Sequence, residues 1–331
     1  MSQYESVEAR PQAVSRLGLY LPTLLLVTLA LAWSAFWFYA ANKADERLMQ
    51  WVQAEKTAGR SLECAGKDIG GYPFRIELIC TSLSFAGPNM RIDMGALHVA
   101  AQIYNPKMAL ADLTGPLRIE SAGVITSVDW KNMRLSIRFN QELERLSLSA
   151  SEIRSGEALT AKSAELHLRT DADQPAEERA ADFVLRLTEA KVATLDPLFG
   201  NNDSGALDIT GTATKIVGAR AGAWQAMLES WRNDGGRVLL DNGRVSKGSF
   251  SLEGKGVLDI DSSRRLHGNL NVVTKGVAPL VARLVPGNAA QLVGALLERK
   301  DGAPVSLPLR LQDGRLSLGP FRTGPILAPL Y

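Results

Sequence analysis

Residues that could carry chemistry are few and scattered. The histidines are His98, His167 and His267, each in or beside an alternating apolar pattern. None has a cysteine or second histidine at ligand spacing, so the sequence predicts no metal site. Gly248-Ser249-Phe250 lacks the spaced glycines of a nucleophile elbow. Gly254-Lys255-Gly256 lacks the full phosphate-loop pattern and the helix that must follow it. Asp171, Asp173, Glu177 and Glu178 form an acidic cluster that could attract calcium, but the ligand order and glycine of an EF-hand are absent. Such a cluster reads as a solvated loop. Asn202-Asp203-Ser204 matches a glycosylation acceptor, which has meaning only in a eukaryotic secretory route. With no nucleophile, metal or paired acid and base, the expectation is a non-enzymatic protein without a cofactor. An envelope hydrolase with a nonstandard site is the minor alternative.

The two cysteines, Cys64 and Cys80, close a loop of 17 residues. A disulfide there would stabilise by about 3 kcal/mol and would place this part of the chain in an oxidising compartment. The other reading is a pair of buried thiols in a reducing cytosol. A CxxC redox motif is absent.

From these residues the reading moves to the elements that must hold them. The 331 residues carry a formal charge of +2, far from the basic excess that nucleic-acid binding requires. Leu17 to Ala41 runs without a charge, and Trp33, Phe36, Trp37, Phe38 and Tyr39 crowd its far end. As a helix it would be roughly 37 Å long, enough to cross a hydrocarbon core of about 30 Å with an aromatic belt at the outer interface. A cleaved signal peptide would have a shorter apolar core. The sequence therefore divides into a tail at 1–16, an anchor at 17–41, a juxtamembrane helix at 42–60 ended by Gly59, and a β-rich domain at 61–331. Arg10 and Arg16 precede the span while Lys43, Arg47, Lys56 and Arg60 follow it, a count that opposes export of the larger part. That rule weakens before long translocated domains.

Beyond residue 61 the apolar period is two, as in Leu97 to Ile103, Leu135 to Phe139, Phe183 to Leu187 and Phe250 to Ile260. Roughly a dozen strands are expected, with Asp241-Asn242-Gly243 and Asp313-Gly314 as hairpin turns. Ala223 to Asn233 and Val277 to Glu298 are the helical candidates. So few helices cannot cover so wide a sheet. The predicted fold is mainly β: an N-terminal transmembrane helix followed by a curved, mostly antiparallel sheet forming a groove, sandwich or open barrel, with two sub-sheets divided near 200–235. Phe250, Leu252, Leu258 and Ile260 share one face, with Gly254 and Gly256 between them, and are the candidate apolar ligand site.

In Gly70-Gly71-Tyr72-Pro73-Phe74-Arg75-Ile76-Glu77-Leu78 the glycines permit a sharp turn, and Phe74, Ile76 and Leu78 then alternate into a strand. Tyr72, Phe74 and Arg75 are a candidate recognition edge; the plainer reading is that they start the strand and seat the cysteines. With Tyr104-Asn105-Pro106, Gly115-Pro116 and the tail from Asp313 to Pro320, this stretch resembles the bacterial domain of unknown function 2125. That family is found mainly in alphaproteobacteria and has no established activity. A weaker likeness, over Gly243 to Leu284, is to AsmA-like envelope proteins, long curved sheets implicated in lipid movement. The resemblance implies a single-pass protein of the bacterial inner membrane with its C-terminal domain in the periplasm. The anchor and the aliphatic curved sheet lead to the expectation of a protein that binds phospholipid or another apolar ligand or supports envelope biogenesis. A scaffold holding an envelope protein by a strand edge or by the Trp224 to Trp231 helix is the alternative.

Overall fold

The computed structural model describes residues 17–88, 90–121, 123–140, 142–170, 174–175, 178–216, 224–277, 280, 283, 304–319, 321–323 and 327–331. Helix α1 (Leu17–Thr57) joins the anchor and the juxtamembrane segment without a break. It is apolar and long enough to cross a membrane. It ends where Gly59 takes a left-handed conformation that a side chain would oppose.

The next part of the chain is built from bent strands. β1 (Ser61–Ala65) turns at Gly66-Lys67 into β2 (Asp68–Gly70), and β3 (Arg75–Cys80) turns at Thr81 into β4 (Ser82–Ala86). β5 (Met90–Met94) passes Gly95-Ala96 into β6 (Leu97–Gln102), and β7 (Asn105–Leu113) passes Thr114-Gly115-Pro116 into β8 (Leu117–Ser121). β9 (Val124–Val128) then passes Asp129-Trp130-Lys131 into β10 (Asn132–Asn140). The pieces on one side of the bend form a five-stranded antiparallel sheet in the order β1-β4-β5-β8-β9. Backbones approach too closely at the bend for side chains. A Cβ on Gly95 would stand 2.6 Å from the Thr114 carbonyl oxygen, and one on Gly115 would run into a carboxylate oxygen of Asp129. The disulfide Cys64–Cys80 crosses the same bend, joining β1 of the small sheet to β3 of the large one. The predicted pairing is thus present.

The pieces on the other side begin a fifteen-stranded sheet. After β10 it continues as a meander of β11 (Glu142–Ser155), β12 (Leu159–Thr170) and β13 (Ala181–Val192). The short α2 (Asp196–Phe199) leads to β14 (Gly205–Ala213), and α3 (Trp224–Asn233) leads to β15 (Val238–Lys247). β16 (Phe250–Ile260), β17 (Leu266–Lys275), β18 (Val305–Gln312), β19 (Arg315–Leu318) and β20 (Phe321–Thr323) complete it. The order is β2-β3-β6-β7 and then β10 to β20 in sequence, antiparallel throughout. Both sheets are open, and the fold is the mainly β one expected, an N-terminal apolar helix followed by large antiparallel sheets.

Three local expectations resolve differently. The strands outnumber the expected dozen because each bent strand counts twice and pieces such as β2 are too short to show a period. Asp241-Asn242-Gly243 is not a hairpin. It lies inside β15, where pairing shifts between Leu240 and Gly243. With β14 and β16 paired on either side, the extra residues are absorbed as a bulge. Residues 200–235 do not interrupt the sheet, since β14 pairs directly with β15; the passage from one sheet to the other lies earlier, at the bend. Asp313-Gly314 is the β18–β19 turn as expected, and the Trp224 helix forms. Most of Val277 to Glu298, and residues 1–16, lie outside the described residues.

Candidate functional site

Register converts the alternation of each strand into a continuous feature. In one row across the large sheet, Ile69 faces Leu78, then Val99, Ala111, Leu135 and Leu148. The same row continues through Leu166, Leu185, Ile209, Gly243, Gly254, Val272 and Leu307. It contains no polar side chain. The parallel row Ile137, Leu146, Leu168, Phe183 and Gly211 is apolar as well. The opposite face carries Asp112, Arg134, Glu165, Arg186, Asp208, Arg244 and Glu253, Arg134 paired with Asp112 and the others joined by ion pairs or facing one another across strands.

Among the described residues the apolar face is covered at both ends and open between them. Near the bend, the small sheet brings Met94, Leu117 and Val128 onto Trp130, Ala150, Ile153 and Ala161. The Trp130 indole N–H donates to the Leu113 carbonyl at 2.8 Å, pinning the corner. At the other end Phe250, Val272, Val277, Leu309, Leu311 and Leu318 form the largest buried cluster, with Phe199 of α2 stacked obliquely on Phe250. Lys247, buried beside it, donates to the Asp196 carboxylate at 2.8 Å and so fixes α2 over the sheet. On β10 to β14, the residues Leu135, Ile137, Leu146, Leu148, Leu166, Leu168, Phe183, Leu185 and Ile209 are only half-buried. Among the described residues they belong to neither cluster. They form a half-buried apolar strip across five strands, hereafter the trough.

The sequence-predicted ligand residues occupy a different place. Phe250, Leu252 and Leu258 do share a face, but they pack into the closed cluster, and Ile260 is half-buried at the end of its strand. Gly254 and Gly256 allow this closure: a Cβ on Gly254 would lie 2.7 Å from the Val272 side chain. The open residues were each legible as strand positions. What sequence alone lacks is the register that aligns five strands into one trough.

The predicted recognition edge is seated on α1. Indole N–H groups of Trp33 and Trp37 donate to the carbonyls of Pro73 at 2.9 Å and Arg75 at 2.7 Å. The hydroxyls of Ser34 and Tyr72 are 2.8 Å apart, and the Tyr72 ring meets Trp37 edge-on and stacks on Phe38. Beneath them Trp37, Ala41 and Ile103 are buried together, with Ile69 and Ile76 packed against them. Arg75 instead turns outward to pair with Glu77. Because Ile69 belongs to the long apolar row and Ile76 to the row beside it, the apolar face begins at the helix itself.

The histidines take carboxylate neighbours: Glu77 for His98, Glu165 for His167 and Asp259 for His267. Among the described residues no group of three or more His, Cys, Asp or Glu could hold a metal ion. Asp171, Asp173 and Glu177 of the acidic cluster lie outside the described residues. A shallow cavity of about 550 Å³ is lined by Arg145, His167, Arg169, Asp182, Thr210 and Asp241 among others. One strongly coupled polar group ties the C-terminus down. The Tyr331 hydroxyl donates to Glu229 of α3 at 2.7 Å, and Arg264 lies over the Tyr331 ring while also pairing with Glu229. The Tyr331 hydrogen bond holds the Glu229 carboxyl below its usual range against the effect of burial, with Arg264 and Arg232 assisting. Burial, and then the same bond, push the Tyr331 hydroxyl up.

A family model described as an uncharacterized protein conserved in bacteria, domain of unknown function 2125, matches residues 37–326. The chain belongs to this family. Its match begins at Trp37, the helix residue buried beneath Tyr72, and takes in both sheets, so the family covers the trough together with its seat on the helix. No curated protein matches the chain.

Proposed function

We propose that this member of the family is a membrane-anchored lipid-binding protein that holds a hydrocarbon chain in the trough on β10 to β14. The observation that carries the reading is the uninterrupted apolar row, half-buried at Leu135, Leu148, Leu166, Leu185 and Ile209, that starts against the helix at Ile69. Neighbouring strands are about 4.8 Å apart, so those five strands span roughly 20 Å, more than the ~15 Å that one leaflet of a bilayer core provides for an acyl chain. Each Å² of apolar surface covered would contribute about 25 cal/mol. Continuity with the anchor favours a membrane lipid over a free apolar metabolite, because the trough and the bilayer then share one apolar path. The reading puts the domain on the periplasmic side of the inner membrane, and the disulfide across the bend and the bacterial family support it. A role in envelope biogenesis is part of the same proposal.

Photocrosslinking in intact cells tests the proposal. A benzophenone side chain replacing Leu166 or Leu185 is expected to capture phospholipid, detected by mass spectrometry of the full chain, whereas the same group at Arg186 on the polar face captures none. Absence of lipid adducts at both trough positions would overturn the reading.

A further inference from the structure

The turn before β3 and the turn between β6 and β7 form one aromatic tip. Tyr72, Phe74 and Tyr104 are 54%, 59% and 66% exposed, although each is a large apolar side chain. The tips are locked together, since the Ile103 N–H donates to the Phe74 carbonyl at 3.0 Å. They are also locked to α1 at a defined height, through Trp33 to Pro73 and Ser34 to Tyr72. Trp33 and Ser34 lie within the uncharged stretch, and the first charge after them is Lys43, roughly 15 Å further along the helix axis. Nothing charged occurs from Gly70 to Phe74 or from Ile103 to Pro106, while Arg75 follows Phe74 directly and Lys107 stands three residues past Tyr104.

We infer that Tyr72, Phe74 and Tyr104 are a second membrane contact, immersed in the interface of the same bilayer that α1 crosses. A helix spanning with residues 17–41 carries these rings down with it to the level where tyrosine and tryptophan belts sit. Arg75, exposed and one residue beyond the tip, then reaches the phosphate layer, its stem along the apolar surface and its head in the polar region. This inference rests on the anchor in the proposed function and is independent of whether the trough holds lipid.

The test uses the full chain in nanodiscs of phosphatidylethanolamine and phosphatidylglycerol, with one added cysteine carrying an environment-sensitive fluorophore at Phe74, Tyr104, Leu25 or Val124. Leu25 reports insertion of the helix, and Val124, on the small sheet, is the exposed reference. With lipids carrying a quencher near the headgroup, Phe74 and Tyr104 labels are expected to shift to the blue and lose most of their emission, with Val124 unchanged. Quenching at Leu25 by deep quenchers, with Phe74 and Tyr104 no different from Val124, overturns this inference alone. No quenching at Leu25 overturns the anchor and this inference together.

Discussion

The indole N–H of Trp37 donates to the carbonyl of Arg75 at 2.7 Å, joining the long apolar helix α1 to the first long strand of the large sheet. The ring is buried, and the bond uses a carbonyl at the start of β3. Helix and sheet are coupled at a point where the apolar face begins. Trp37→Phe keeps most of the packing and removes the hydrogen bond, so it is expected to cost about 1 kcal/mol. Trp37→Ala also leaves a cavity and is expected to cost about 3–5 kcal/mol. Urea unfolding of the full chain in micelles, followed by circular dichroism of the strands, checks both; equal midpoints for wild type and Trp37→Ala would remove the coupling.

A charge has opposite consequences at two positions of the same row. Leu166 is half-buried in the open trough, where a carboxylate can keep contact with water, so Leu166→Asp is expected to leave the fold intact and abolish lipid capture at Leu185. Val272 is fully buried in the closed cluster, so Val272→Asp is expected to cost about 4 kcal/mol or more and to unfold the C-terminal strands. Thermal melts of the two variants separate these outcomes. Similar loss of stability in both would mean that the trough is as closed as the cluster.

These contrasts mark how far the sequence could be read. Alternation at Leu135, Leu148, Leu166 and Leu185 identifies half-buried strands because period two is a local property. Which strands lie side by side depends on the whole meander, and a one-residue slip would reverse every face. Phe250, Leu252 and Leu258 looked like a ligand surface for that reason: the sequence pattern of an open apolar face and of a covered one is the same, and covering comes from Phe199, Val277 and Leu318, distant in the chain. Cys64 and Cys80 were legible because two cysteines allow only one pairing. The bends at Gly95 and Gly115 were not, since contact with Thr114 and Asp129 is what excludes a side chain there.

Removal of the disulfide tests the bend. Cys64→Ser with Cys80→Ser frees a loop whose closure is worth about 3 kcal/mol, and it leaves a hydroxyl at the buried Cys80 position. The expected result is early loss of hydrogen-exchange protection in β1 and β4, with β16 to β18 unchanged, because the C-terminal cluster shares no contact with the crosslink. Uniform loss of protection would show instead that the two ends unfold as one unit.

The Glu229–Tyr331 bond predicts how the C-terminus responds to pH. Glu229 titrates below an ordinary glutamate, so its contribution is complete above about pH 4.3 and is lost as pH falls through the lower folded value. Tyr331 is shifted upward, so its contribution is complete below about pH 10 and is lost as pH rises through the raised value. Between these limits the latch holds, and Leu330, whose N–H donates to the Arg264 carbonyl, reports it. The protection of the Leu330 amide, its exchange rate taken relative to intrinsic exchange at each pH, should fall on acidification. In Tyr331→Phe the largest lowering influence on Glu229 is gone, so that loss of protection should begin at higher pH. In Glu229→Gln the residue no longer titrates in this range, and exchange should be fast with no carboxylate midpoint. An unchanged acid midpoint in Tyr331→Phe would show that the arginines alone hold the Glu229 carboxyl down.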